Sequence, residues 1–452
     1  MAAPGRQAES DDPQAPAGDD IATAETGRRD AGDGENDAMV EWARSGVVAL
    51  TGHADGPPLV PPGRAAVRAR ALSERIAELT ADSASRVRVD GPALLAERAA
   101  FTHRQRDGRT TVGGAGRLLP TADGWAAVTC ARDDDPPLLG AMIGRELTGD
   151  IWGPVSEWVG AHSGQELAER AELFGLAARP VVRRPSATAI PSLAVFPRPR
   201  SMTDTLVVDF SALWAGPLCT HLLASAGARV VKVEIPGRPD GARRGDSDFY
   251  RLLHAGQQSV CLDPEEAGGR AALAALVTAA DIVVEASRPR ALARFGLDAR
   301  EAVDAGTTWI SITAAGRESD QVGFGDDVAA GAGLVAYEAD GSPLFCGDAL
   351  ADPLTGLTAA VLALTAPENE RGVLYDLAMS DVVAGALGPV FPEDTALPPS
   401  TVARRSGSGW EVETGRGTVT VAPPRHRTPV GEAPAMGEHT RSVLRGIGFP
   451  RR

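Results

Sequence analysis

Between residues 204 and 391, apolar runs of strand length alternate with stretches of amphipathic helical length, and this alternation constrains the fold more than any other feature of the chain. Leu206–Phe210, Arg229–Glu234, Ser259–Asp263, Asp281–Glu285, Thr308–Thr313 and Val373–Ala378 read as strands. Pro217–Ala226, Pro264–Ala279 and Pro353–Thr365 read as helices between them. Strands that are almost continuously Val, Ile and Leu are buried on both faces, and the intervening helices supply the cover. The fold class is therefore α/β, a doubly wound, Rossmann-like parallel sheet.

The remaining segments read differently. Residues 1–38 hold ten acidic side chains against three arginines with almost nothing to bury, so ordering them would go uncompensated and a disordered acidic tail is expected. Residues 118–182 carry one strand-like run, Trp125–Thr129, followed by helices. One helix starts at Ser163 with Glu166 three residues on, a capping box, and sets Leu167, Ala171 and Phe174 on one face. This is the pattern of a smaller α+β domain. A linker rich in proline and arginine follows at 183–203, and residues 392–452 form a second linker with a hairpin-like run at Trp410–Val421 and a C-terminal segment.

Residues 39–117 echo the α/β region. Ser45–Leu59 lays over Ala332–Leu344, with Asp55-Gly56 over Asp340-Gly341. The helix and strand that follow repeat as 65–79 and 86–90 against 353–365 and 373–377. We read 39–117 as a partial repeat of the large domain at 204–391.

The formal charge of −15 argues against general binding to nucleic acid or anionic membrane surfaces, since like charges repel. No apolar run reaches the ~18 residues needed to span a bilayer. Four dispersed cysteines without a CxxC indicate a reducing compartment, so the protein is expected to be cytoplasmic. The turn after Leu206–Phe210 is SALWAGP, without the GxGxxG that lets a pyrophosphate approach a helix, and no P-loop or GxSxG elbow occurs. The seven histidines show no HExxH or other ligand spacing, so no metal is expected.

Three stretches carry a resemblance. VVDFSALWAGPLCTHLLASAGARVVKVEIPG (207–237), SVCLDPEEAGGRAALAALVTAADIVVEASRPRALARFGL (259–297) and FCGDALADPLTGLTAAVLAL (345–364) resemble, in order and spacing, the family III CoA-transferases, the group of formyl-CoA transferase and α-methylacyl-CoA racemase. PTADGWAAV (120–128) through GLAARPV (175–181) is similar to that family's small domain, and 423–444 to its C-terminal segment. The usual order places the small domain after the large one; here it lies upstream. The chain thus reads as the back half of one family unit followed by the front half of another.

The resemblance implies a transferase that moves CoA between an acyl-CoA donor and a carboxylic acid acceptor, with CoA as substrate and no tightly bound cofactor. Its nucleophile matches Asp352 in ADPLTGL, which would form a mixed anhydride and then an aspartyl-CoA thioester. The echo sets Val67 opposite Asp352, so one chain would supply one site. From the residues alone, Asp352 before Pro353 and the stripe Leu354, Leu357, Val361 and Leu364 reads as a helix N-cap. The resemblance also places Trp214 and Ala215 of LWAGP beside the acyl group, Lys232 on the strand next to the nucleotide and Arg288 at a CoA-holding turn. A core Trp, a sheet Lys and a solvated Arg are the plain alternatives.

Two departures keep other readings open. HAGQQS (254–259) replaces a basic family segment that faces CoA phosphates, leaving Arg243, Arg244 and Arg251 to compensate. Phe324 stands where the racemase branch has histidine, and racemisation needs two bases flanking the α-carbon. A racemase or other acyl-CoA conversion, or a lapsed member acting as a binding subunit, are the alternatives. Small-molecule acyl-CoA and acid are the expected partners. A homodimer is also expected, because the family's members are dimers and because 39–100 offers too few strands to form a sheet alone.

Overall fold

The computed structural model describes residues 37–449 apart from 84, 183–197, 287–288, 368–371 and 389–398. The expected acidic tail, most of the 183–203 linker and the start of the 392–452 segment fall outside the described residues.

The N-terminal part is helical: α1 (37–45), α2 (Ala65–Leu79), α3 (Gly91–Leu94) and α4 (Glu97–Thr102). The Val-Arg-Val alternation at 86–90, which suggests a strand, forms no ladder. An alternating pattern becomes a strand only where a sheet edge is available to pair with it, and none meets this segment among the described residues. Within this chain, 39–100 contributes no strand to a sheet among the described residues. Its apolar residues instead share one core with the α/β region: Trp42, Leu50, Leu72 and Phe101 cluster with Trp214, Leu218, Leu350 and Leu357.

An antiparallel sheet of β1 (Gly116–Pro120), β2 (Trp125–Thr129) and β3 (Ala177–Pro180) follows, with α5 (Asp135–Ile143), α6 (Trp152–Ala161) and α7 (Gly164–Phe174) inserted between β2 and β3. The N-cap half of the expected box forms, the Ser163 hydroxyl accepting the Glu166 N–H at 3.2 Å. Sequence reading finds β2 and α7 but misses β1 and β3, whose short GRLLP and AARP runs lack β-branched residues.

The α/β region runs β4 (Leu206–Phe210), α8 (Ala215–Ser225), β5 (Arg229–Glu234), α9 (Ser247–His254), β6 (Gln258–Cys261), α10 (Ala267–Ala279), β7 (Ile282–Glu285), α11 (Pro289–Ala293), α12 (Ala299–Asp304), β8 (Thr308–Thr313), α13 (Gly325–Gly331), a β9 (Val335–Tyr337) and β10 (Pro343–Phe345) ribbon, α14 (Ala351–Ala363), β11 (Val373–Ala378) and α15 (Met379–Leu387). The sheet order β11-β8-β7-β4-β5-β6 is parallel throughout. Numbered within the sheet, this is the doubly wound order 3-2-1-4-5-6, and its direction reverses between β4 and β7. An antiparallel β12 (Arg404–Ser406), β13 (Gly409–Thr414), β14 (Gly417–Thr420) sheet and α16 (Thr440–Gly446) complete the described chain.

α14 is apolar around nearly its whole circumference and packs between α8 and α2. Such a helix is stable only when enclosed. Its approach to α8 requires glycine: a Cβ on Gly356 would lie 2.6 Å from the Ala215 carbonyl oxygen.

Candidate active site

Open α/β sheets bind ligands outside the carboxyl ends of their strands, at the point where strand order reverses. A cavity of about 190 Å³ lies there. Ala212, Leu213 and Ala215 follow β4, Ala286 follows β7, and Ile312 to Ala314 end β8; Asp352, Phe324 and Arg132 close the other sides. Arg132 comes from the loop between β2 and α5, so the small antiparallel domain forms part of the wall.

Asp352 occupies the second position of α14 and is not its cap. The N-cap is Leu350, because Ala349 takes the left-handed region (φ 50°) and its carbonyl already accepts the Asp352 N–H at 2.9 Å. Leu213, on the facing wall, is also left-handed (φ 67°). Neither is glycine, and non-glycine residues hold this conformation only when their surroundings enforce it. The strain therefore brackets the carboxylate. Gly325 gives it room: a Cβ there would lie 2.4 Å from Asp352 Oδ2.

Asp352 belongs to a group of carboxylates with Asp326, Asp327 and Asp348. Burial pushes the Asp352 carboxyl up to about 7, opposed by the Arg98 guanidinium and by the Ala215 backbone N–H, and reinforced by Asp348 and Asp327. Burial and the Asp348 charge raise Asp326 as well; its Oδ1 accepts the Ala349 N–H at 2.7 Å. The dipole of α14 favours an ionised Asp352 near its N-terminus. Burial among like charges has the larger effect, with the opposite sign.

The compensating cations come from the N-terminal half. Arg98, on α4, pairs with buried Asp348 through Nε at 2.9 Å and through a second short contact from Nη2, 250 residues apart in sequence. Burial works to lower the Arg98 pKa, but Asp348, Asp326 and Asp352 outweigh it. Its guanidinium also lies 5.3 Å from the Trp214 ring centre. Arg179, on β3, donates from Nε to Asp327 at 3.1 Å and from Nη2 to the Val322 carbonyl at 3.0 Å, while Thr129 donates to Asp327 at 3.2 Å. These contacts tie α13, and with it Gly325, to the small domain.

Of the residues singled out from sequence, the structure brings Asp352 and Ala215 together in the cavity wall. Trp214 lies behind that wall, 1% exposed, with Phe249 edge-on at 5.4 Å. Lys232 is also 1% exposed. It pairs with Asp240 at 2.9 Å and donates to the Ser211 carbonyl at 2.9 Å, so it holds the Ser211–Leu213 turn from beneath. Arg288 lies outside the described residues. In the segment that replaces the family's basic one, His254 is buried and bonded to Gln257 at 2.9 Å. Arg243 is committed to Glu234 at 2.8 and 2.6 Å, whereas Arg244 is exposed and paired with Asp133 at 2.7 Å.

Residues 202–418 match the sequence profile of CoA-transferase family III. Among the chain's relatives are the succinyl-CoA–D-citramalate CoA-transferase of Chloroflexus aurantiacus, 30% identical over 213 residues covering 43% of this chain and 53% of that one, and a formyl-CoA:oxalate CoA-transferase of Rhodopseudomonas palustris, 31% identical with 41% and 47% covered. The chain spans about half the length of these curated relatives. Solved structures that align with it include a hypothetical protein of Mycobacterium tuberculosis (26% identity, TM-score 0.40, 48% of this chain and 66% of that one) and a CaiB/BaiF family protein of Brucella suis (22%, 0.40, 49% and 65%). Arg98, Arg132 and Arg179 all lie outside the matching segment.

Proposed function

We propose that this protein transfers CoA between an acyl-CoA and a carboxylic acid, with Asp352 as nucleophile. The observation that carries the reading is the position of Asp352: it is the one carboxylate among the described lining residues of a cavity at the switch point of a family III sheet. In the proposed sequence, the Asp352 carboxylate attacks the thioester carbonyl, expelling CoA thiolate and leaving an acyl-aspartyl anhydride. The thiolate then attacks the aspartyl carbonyl, releasing the donor acid and forming an aspartyl-CoA thioester. The acceptor carboxylate displaces the thiolate to give a second anhydride. Attack of the thiolate on the acceptor's carbonyl yields the new acyl-CoA and restores Asp352. A carboxyl group with its pKa near 7 suits this work, being partly ionised at neutral pH and, once ionised, more nucleophilic than an ordinary Asp.

CoA enters as a substrate that is regenerated in each cycle. The relatives' names point to short acids, and a cavity of about 190 Å³ holds roughly six water volumes. Racemisation is disfavoured because Phe324 replaces the histidine in the wall and the described lining adds no second base to Asp352. A homodimer rests on the resemblance and on the few strands 39–100 offers; sedimentation distinguishes it from a 46.7 kDa monomer. The functional test is exchange between labelled acyl-CoA and free acids. Asp352→Asn should lower turnover by ~10³-fold or more with the fold retained. Wild-type turnover in the Asn variant would rule out Asp352 as nucleophile, and α-proton exchange without transfer would favour the racemase reading.

A further inference from the structure

Among the described lining residues, the cavity's charged side chains are Asp352 and Arg132. Arg132 is held rigidly from behind. Its Nε and Nη2 donate to Asp135 Oδ1 at 2.8 and 2.6 Å, and Nη2 also donates to the Gly175 carbonyl at 2.7 Å. Asp135, fully buried, is fixed in turn by the N–H groups of Ala131 and Arg132 at 2.8 and 2.7 Å. This uses every Arg132 donor except Nη1, which has no hydrogen-bond partner among the described residues. A guanidinium clamped on two nitrogens with its third left over, in the wall of a small cavity, is a preorganised anion contact.

Building on the transfer reading above, we infer that Arg132 binds the distal carboxylate of a short dicarboxylic acid whose other carboxyl group reacts at Asp352. The cavity supports this in two ways. Its volume suits an acid of a few carbons. Its remaining wall, Leu213, Ile312, Val322, Phe324 and Met379, supplies the apolar contacts for a methylene bridge but no other cation. The Arg132 side chain is 32% exposed, so an acid lacking the second carboxylate forgoes the charged hydrogen bond to Nη1 and leaves that nitrogen to water, which makes it the weaker substrate. Arg132 is then a specificity-determining residue supplied by the small domain.

The test compares succinate with butyrate, which share chain length and differ in the distal carboxylate, as acceptors from one acyl-CoA donor. Wild type should prefer succinate in kcat/KM by at least tenfold. Because Arg132→Gln alone would leave buried Asp135 unpaired, the informative variant is the double exchange Arg132→Gln with Asp135→Asn. It should reduce the succinate-over-butyrate ratio at least tenfold, whereas Arg132→Lys keeps succinate preferred. Succinate should also raise the wild-type melting temperature and leave that of the double variant unchanged. An unaltered ratio overturns the inference. So does an equal loss for both acceptors traced to the donor's KM, which would assign Arg132 to a CoA phosphate. If wild type exchanges no acid but succinate stabilises it through Arg132, the anion site stands and the transferase reading falls. If neither occurs, both fall.

Discussion

α14 and α2 start from echoed sequence and pack against each other, but their first turns meet different surroundings. The first turn of α14 faces the carboxyl ends of β4 and β8, where a parallel sheet leaves a cavity, and presents Asp352 to it. The first turn of α2, Ala65-Ala66-Val67, is closed off by the end of α15: the Arg64 N–H donates to the Ala386 carbonyl at 2.8 Å, and a Cβ on Gly63 would lie 2.7 Å from Leu387 Cα. One helical pattern thus lines a cavity in one place and serves as a buttress in the other. The N-terminal half contributes through α4 and β3, which deliver Arg98 and Arg179 to the carboxylates around Asp352. The two helices differ in what their first turns face, a cavity for α14 and the end of α15 for α2.

The contrast can be broken most severely at Gly325. Gly325→Ala places a methyl group against Asp352 Oδ2, and displacing a reacting group by about 1 Å costs ~10²-fold in rate. Steady-state kinetics on a folded variant, verified by circular dichroism, measures it. Turnover within a few-fold of wild type would mean that the carboxylate has slack the geometry denies.

Arg98 tests the claim that the N-terminal half tunes the site. Activity should rise with pH through about 7 as Asp352 ionises. Arg98→Gln removes a nearby cation, so the midpoint should move to higher pH and kcat at pH 7 should fall by about tenfold. The variant also strands buried Asp348, which costs ~3–5 kcal/mol of stability. Arg98→Lys should recover most of the pH profile. Loss of stability with an unmoved midpoint would leave Arg98 with a structural role alone.

A smaller effect concerns stability. The Asp352 carboxyl titrates near 7 in the folded chain and near 3.9 when unfolded. A raised folded pKa contributes stability that is fully present below about 4 and is lost as pH rises through about 7. The amide of the Asp352→Asn variant never ionises, so that variant should melt a few degrees higher than wild type at pH 8, with the difference smaller at pH 5 and gone only below about pH 4. Calorimetry at the two pH values checks the sign; equal melting temperatures at pH 8 would contradict the raised pKa.

The sheet strands were legible because β5, β8 and β11 are short runs rich in Val, Ile and aromatic residues, and their bounds coincide with those expected. The family motifs pointed to Asp352. What could not be read were the partners of its neighbours. Nothing local to α4 signals that Arg98 meets Asp348 across 250 residues, because tertiary packing sets that contact. The Asp326-Asp327 pair and the Gly347-Asp348 step were visible as acids near the motif, but only the packed structure turns them into a charged cluster. The cap assignment at Asp352 failed for a local reason: the left-handed Ala349 starts the helix earlier than proline spacing suggests.

The most direct measurement is covalent. Incubating the full chain with an acyl-CoA donor and trapping with hydroxylamine should convert the Asp352 side chain to its hydroxamate, located by peptide mass spectrometry and absent when the donor is omitted. Rapid acyl exchange with an unlabelled Asp352 peptide, or a label on another carboxylate, would contradict the assignment of Asp352 as the nucleophile.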